Sequence, residues 1–385
     1  MNPIYENMGE SIFTRMSRLA VKHHAVNLGQ GFPDFGWPEQ ILDAAARAVK
    51  EKSNQYAAAF GLPELRQAIA HHYNRQFCQN LEPASICVTS GATEALACSI
   101  LATITPGDEV VIFTPAYDSY APMIRRAGGT PVEVALQPPE WRIERGAVAA
   151  AITPKTRAIL FNNPHNPTAR LFGAQELQVI AEAAIEHDLI VIADEVWEHM
   201  LMDGRSFTPL ASLPGMADRV LKIGSAGKIF SLTGWKIGWI AAAPRLASLV
   251  TMAHQFVTFS SAPNLQWAVA FGMAEGDEWI EPMQRRFEAA RDRMVNSLHA
   301  AGFATLPAAS TYFLCVDLEA SGISVDDLSF ADQAVEKAGV AVIPLSVFCE
   351  QNAPRHLVRL CFGKRDATID AGVAAMARAK ELVRA

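Results

Sequence analysis

From about residue 60 to residue 245 the chain repeats one pattern. A short apolar run stops at polar, Gly or Pro residues and gives way to apolar positions three and four apart. Short apolar runs bounded in this way predict strands buried on both faces, and the three-and-four spacing predicts helices packed across them. The strands are predicted at 86–88, 110–113, 132–135, 158–161, 190–193, 220–223 and 239–243, with crossover helices at 92–104 and 173–187. Strand and helix alternating along the chain predict an α/β fold with a mostly parallel sheet of about seven strands flanked by helices. After residue 278 a long charged helix reaches residue 299, and apolar runs follow at 312–318, 340–345 and 357–362. This second pattern predicts a smaller α+β domain. The first forty residues carry no strand core of their own and are expected to pack back onto it. The expected division is therefore a large domain at 46–278 and a discontinuous small domain made of 1–45 and 279–385.

Composition narrows the class of partner. The formal charge is -7 and no run of Lys or Arg appears, so the electrostatic footprint for nucleic acid or an acidic membrane is missing. Small molecules become the expected partners. No apolar stretch is long enough to span a bilayer, and the first twenty residues lack the apolar centre of a signal peptide, which points to a cytoplasmic address. The six cysteines lie far apart, with no Cys-x-x-Cys pair and no His pair at ligand spacing. Buried free thiols and no metal are the expectation.

In open parallel sheets ligands bind beyond the carboxyl ends of the strands, so the residues after each apolar run carry the chemistry. The run at 86–88 leads into Thr89-Ser90-Gly91-Ala92-Thr93-Glu94, a small-residue turn opening a helix. Such a turn either holds a phosphate on free N–H groups or serves only to cap the helix. The run at 158–161 ends in NNPHNPT, whose prolines hold Asn166 in an extended loop, unless Asn166 is merely a turn-former. The run at 190–193 delivers Asp194 from a buried strand, where a carboxylate needs a partner. That partner is a protonated ring nitrogen, a helix N-terminus or a local ion pair. The run at 220–223 leads to Ser225 and Lys228 in a Gly-flanked turn among Ile229, Phe230, Leu232 and Trp235. A surface lysine would be solvated; an apolar setting lowers the pKa and makes the amine a nucleophile toward an aldehyde.

With these strings in order, the chain resembles the class I/II, fold type I pyridoxal-phosphate aminotransferases, nearest the kynurenine/methionine/N-succinyldiaminopimelate subgroup. The supporting stretches are NLGQGFPDF, NQYAAAFGLPELRQAI, VTSGATEAL, NNPHNPT, DEVWEH, SAGKIFSLTGWKIGW and VRLCFGK, spread over nearly the whole chain. The resemblance implies pyridoxal 5'-phosphate as cofactor and Lys228 as the lysine that holds it as a Schiff base and later shuttles the Cα proton. It implies Asp194 as the partner of the pyridine nitrogen, Asn166 at the phenolic oxygen and Tyr117 stacked on the ring. Gly91, Ala92, Thr93, Ser225 and Lys236 would hold the phosphate, joined by Tyr56 of a neighbouring subunit, which implies a homodimer. Arg359 would clamp the substrate carboxylate, with Gly29 in the loop closing over it and Asn166 beside it. The implied substrates are an L-amino acid and a 2-oxo acid.

One position departs from the family pattern: Trp197 stands three residues after Asp194, where a tyrosine is usual. The expectation is that its ring N–H still donates a hydrogen bond at the cofactor, or that Asn166 does so alone. Other reactions fit these strings less well than transamination. Ser225 and Lys228 spell Ser-x-x-Lys, yet the Ser-Asp-Asn and Lys-Thr-Gly strings of penicillin-recognising enzymes are absent. Gly-rich nucleotide-binding strings are absent too. A ligand-sensing module would need an appended DNA-binding domain, for which no room is expected. β-Elimination from cysteine S-conjugates shares the first step and stays open as an alternative. Phe13, Trp37, Phe259 and Tyr312 are candidates for an apolar substrate wall or for ordinary core.

Overall fold

The computed structural model describes residues 3–6, 8–275 and 277–384. Its main sheet has seven strands: β2 (Ile86–Ser90), β3 (Glu109–Thr114), β4 (Thr130–Ala135), β5 (Thr156–Asn162), β6 (Ile190–Asp194), β7 (Val220–Ser225) and β8 (Ile237–Ala241), numbered after β1 (Val26–Asn27). Their order is β2-β8-β7-β6-β5-β3-β4. Only β8 runs against its neighbours, which makes the sheet mostly parallel as expected.

Alternation along β8 shows why the central strands read as unbroken apolar runs. Ile237, Trp239 and Ala241 enter one hydrophobic cluster while Ile240 and Ala242 enter the other, so the sheet separates two buried layers. Helix Pro263–Glu275 packs over β8 on one side with helices Glu39–Glu51 and Pro63–Phe77, and helix Gly91–Thr103 packs across β2, β6, β7 and β8. Strand β4 differs from the expectation of burial on both faces, since only Val134 is buried. It ends the strand order, and an edge strand keeps one side toward solvent.

A second, four-stranded sheet of order β12-β13-β10-β9 is built from β9 (Ala304–Thr305), β10 (Phe313–Asp317), β12 (Ile343–Pro344) and β13 (Leu357–Cys361). The N-terminal segment joins this part of the chain through β1, which pairs in parallel with β11 (Val340–Ala341). The charged helix spans Asp277–Ala300 and the final helix Asp366–Arg384 packs beside it. Cys87, Cys98, Cys315 and Cys361 are buried free thiols, whereas Cys78, the residue that ends helix Pro63–Phe77, is exposed.

Candidate active site

Register brings the chemistry-bearing strand ends to one edge of the main sheet. Asn162 at the end of β5 pairs with Asp194 at the end of β6, and Ser225 at the end of β7 pairs with Gly238. Because β8 is antiparallel, its first residues lie where β2 and β7 stop, and Lys236 arrives beside the turn that follows Ser90. Close approach here depends on glycine. A Cβ on Gly238 would stand 2.5 Å from the Ala92 nitrogen, and Gly91 itself has a φ of +77°.

Above this edge lies a cavity of about 270 Å³. Its wall includes Gly91, Ala92, Thr93, Tyr117, Asn166, Asp194, Trp197, Ser225, Lys228, Lys236 and Arg359. Gly29 does not line it, but the Gly29 carbonyl accepts from Arg359 Nη2 at 3.3 Å, and Gln30 and Gly31 do line it. Tyr56 stands apart, 85% exposed and edge-on to Phe259. Of the four aromatic residues proposed for a substrate wall, Phe13 lines the cavity and Tyr312 reaches Lys228, while Trp37 and Phe259 are partly exposed and do not line it.

Local contacts hold each group in place. Asn162 Nδ2 donates to the Asp194 carbonyl at 2.7 Å, and its Oδ1 accepts from the Asn166 backbone N–H at 2.8 Å. The NNPHNPT loop is thereby stitched to the end of β6. At the start of helix Gly91–Thr103, Glu94 accepts from the Ser90 backbone N–H and Thr89 Oγ1 donates to the Gly91 carbonyl, which shapes the turn; the first helical residues, whose N–H groups have no intrahelical acceptor, line the cavity.

Charge at the site is incompletely paired. Asp194 is buried and accepts from Tyr120 Oη at 2.6 Å. Burial pushes its pKa up, and the Tyr120 hydrogen bond only partly opposes this. Burial likewise brings Lys228 down to about 8, with Asp194 among the groups acting the other way. A lysine at that value is partly neutral near physiological pH. Its Nζ donates to Tyr312 Oη at 2.7 Å and sits 4.3 Å above the Trp197 ring centre. The indole therefore presents its π face to the amine.

Arg359 is buried on β13, its guanidinium 3.9 Å from the Phe313 ring centre and near Phe348 and Phe13. Nη1 donates to Asn166 Oδ1 at 2.8 Å, this acceptor and the Gly29 carbonyl are both neutral, and Nε has no hydrogen-bond partner among the described residues. Burial lowers its pKa to about 10. A buried cation that lines the cavity and has no carboxylate hydrogen-bonded to it among the described residues is suited to an incoming anion.

Two groups escaped sequence reasoning. Tyr120 follows Tyr117 by three residues in TPAYDSY, and that spacing was the available signal for a second ring near Asp194. Glu94, Cys98 and His254 bring ligand atoms within 4.8 Å of one another, although no spacing along the chain foretold it. Burial pushes the Cys98 thiol up to about 12, and Glu94 is already engaged by His254, Thr258 and Ser90. The cluster supports the turn below the cavity rather than offering free ligands.

Residues 23–376 match the family model for aminotransferase class I and II. The chain belongs to that family. This aminotransferase is 41% identical over 375 residues to a probable N-succinyldiaminopimelate aminotransferase of Mycobacterium tuberculosis, covering 94% of each chain. It is 38% identical to a methionine aminotransferase of Escherichia coli, covering 97% of this chain and 96% of the other. The solved N-succinyldiaminopimelate aminotransferase of M. tuberculosis superposes with a TM-score of 0.95 at 40% identity, over 98% and 100% of the two chains. The kynurenine/methionine/N-succinyldiaminopimelate resemblance and the fold type I architecture are both borne out. As an enzyme of this family the protein transfers amino groups, and β-elimination is not favoured as its main reaction.

Proposed function

We propose that the cavity binds pyridoxal 5'-phosphate and exchanges the amino group of an L-amino acid with a 2-oxo acid. The observation that carries this reading is that one cavity wall holds both Lys228, whose pKa burial brings down to about 8, and a buried Asp194 that lacks a cationic hydrogen-bond partner among the described residues. The cavity fits the cofactor on three counts: an amine for its aldehyde, a carboxylate for its ring nitrogen, and free helix N–H groups with Ser225 and Lys236 for its phosphate. When bound, the cofactor supplies an aldehyde that bonds to primary amines and a ring that accepts electrons.

The protein's own residues do the rest. Asp194 meets the ring N–H and, as a carboxylate, favours its protonated form. Gly91, Ala92 and Thr93 offer the phosphate backbone and hydroxyl donors, Ser225 a hydroxyl and Lys236 a positive charge. Asn166, beside Trp197 in the cavity wall, would offer its amide to the phenolic oxygen, and Tyr117 would supply an aromatic face for the ring. Lys228 takes the proton from the substrate Cα and returns it on the cofactor side. Arg359 clamps the α-carboxylate, next to Asn166 and the loop carrying Gly29.

The same reading includes a homodimer in which Tyr56 reaches the partner's phosphate. Its 85% exposure, together with Phe256 at 84%, supports a covered apolar face there. It also includes a large domain at 46–278 and a small one of 1–45 with 279–385. The separate four-stranded sheet and the pairing of β1 with β11 support that division. A cytoplasmic address belongs to the proposal as well; among the described residues no helix is long and apolar enough to cross a membrane. The substrate side chain is left among those that the relatives' names suggest, methionine, kynurenine and N-succinyldiaminopimelate.

The test is the visible absorption spectrum of the protein with pyridoxal phosphate, before and after a panel of amino acids. A band that requires Lys228 and is bleached by an amino acid, then restored by a 2-oxo acid, is the expected result. A spectrum identical in wild type and Lys228→Ala would remove the reading.

A further inference from the structure

The Lys228 amine is held by Tyr312, beside Trp197, which stands where the family resemblance leads one to expect a tyrosine. Lys228 Nζ donates to Tyr312 Oη at 2.7 Å, and Tyr312 Oη donates onward to the Gly31 carbonyl. A phenol has one proton and spare lone pairs, so with that proton committed to Gly31 the oxygen faces Lys228 as an acceptor. Burial keeps the phenol pKa well above the ordinary tyrosine value, and the hydroxyl stays protonated. Trp197 stands edge-to-face with Tyr312, ring centres 4.5 Å apart at 86°, and closes the other side of the amine. An indole N–H donates but does not accept, so Trp197 has no oxygen to offer the amine where a tyrosine is usual.

We propose that Tyr312 is the positioning residue for the free Lys228 amine, its phenol oxygen accepting one amine N–H so that the nitrogen lone pair is turned into the cavity. This rests on the transaminase reading above. In the step concerned, the Cα–H bond breaks and an N–H bond forms on Lys228. The electron pair of the broken bond is left on the bound cofactor. Lys228 becomes an ammonium, and its bond to Tyr312 becomes charge-assisted. Tyr312 keeps its own proton throughout. A hydrogen bond that strengthens as the amine gains charge favours the product of that transfer, which is how Tyr312 acts through Lys228.

The test is Tyr312→Phe, with 3-fluorotyrosine at position 312 as a shape-preserving companion whose oxygen accepts more weakly. In the cofactor-free protein, the rate of reductive methylation of Lys228 is followed against pH by mass spectrometry. Loss of the acceptor destabilises the ammonium, so the midpoint is expected to fall by about one pH unit in Tyr312→Phe and part of the way in the fluorinated protein. In the loaded enzyme, kcat is expected to fall about ten-fold with KM little changed, and the acid limb of the kcat profile to move to lower pH. A wild-type methylation midpoint in both proteins, with an unmoved kcat profile, would overturn the proposal. Failure of the underlying reading looks different: the wild type itself would show no Lys228-dependent band with pyridoxal phosphate, whatever the methylation midpoint did.

Discussion

Two lysines on one strand and its following turn, Lys222 and Lys228, meet opposite surroundings. Lys222 is fully buried within β7, donating to Glu195 Oε2 at 2.9 Å and also to Glu198. Tyr73 Oη completes the group by donating to Glu198 Oε1 at 2.9 Å, and Trp239 Nε1 donates to Tyr73 at 2.8 Å. Burial opposes the charge on Lys222, but the attraction of both carboxylates outweighs it and holds the pKa above the usual lysine value. Lys228 has, as its hydrogen-bond partner among the described residues, a phenol oxygen, with an aromatic face beside it; burial outweighs the attraction of Asp194. The carboxylates are sorted in the same way. Asp194 turns to the cavity with a hydroxyl partner, while its neighbour Glu195 turns to the ion cluster. Each charged group of the Lys222 cluster meets an opposite charge, whereas Lys228 and Asp194 meet only hydroxyl side-chain partners among the described residues, at the wall where chemistry is expected.

The sharpest break of this contrast is Lys228→Met. Activity is expected to fall about 10⁴-fold or more, since both the nucleophile and the proton carrier are lost. The cofactor-free protein at pH 7 is expected to gain about 1–3 kcal/mol, because a partly desolvated cation has been removed. Urea unfolding of the two proteins checks this, and a loss of stability would show that Lys228 is as well paired as Lys222.

Lys222→Met is expected to go the other way, losing about 3–5 kcal/mol by leaving two buried carboxylates without their cation. An unchanged unfolding midpoint would mean that the cluster is held by Tyr73 and packing alone. A smaller effect is expected from Tyr120→Phe, which removes a hydrogen bond to a buried carboxylate. The Asp194 pKa rises, activity drops about five- to ten-fold, and the acid limb of the kcat profile moves to higher pH. That shift is opposite in sign to the one expected for Tyr312→Phe, so profiles of the two variants separate the carboxylate from the lysine. An acid limb that stays put in Tyr120→Phe would detach Tyr120 from Asp194.

The smallest effect is the pH dependence of stability. The folded pKa of Lys228 is about 8 against an ordinary 10.5, so between these values the unfolded chain binds more protons at this site. Its contribution to the stability of the cofactor-free protein therefore rises with pH through that window, and its cost is fully present below it. Lys222, with its pKa raised, contributes stability below 10.5 that fades only as pH climbs through its higher folded value. Comparing wild type with Lys228→Met across pH 8 to 10.5 isolates the first slope, which should vanish in the variant.

Much of the fold was legible because strands buried on both faces leave apolar runs that little else produces. All seven runs became strands, with β8 beginning at Ile237 rather than at Trp239. The run around Val220 concealed Lys222, since a charge paired from other segments leaves no local mark. The cavity wall was legible where function falls at strand ends, as at Asp194, Asn166 and Ser225. Tyr120 and Tyr312 were not assigned their partners, because Tyr312 meets Lys228 across 84 residues and Tyr120 meets Asp194 across 74.

By itself the sequence determined the α/β pattern, the strand ends that carry chemistry, and the residue types available there, including an indole where its family usually keeps a phenol. These follow from local periodicity and from motifs, which depend on neighbours along the chain. Tertiary structure alone decided the antiparallel run of β8 that brings Lys236 to the helix N-terminus, the opposite fates of two lysines six residues apart, and the phenol that holds the Lys228 amine. Electrostatic environment is set by whichever atoms arrive within a few ångströms, and most of those arrive from distant parts of the chain.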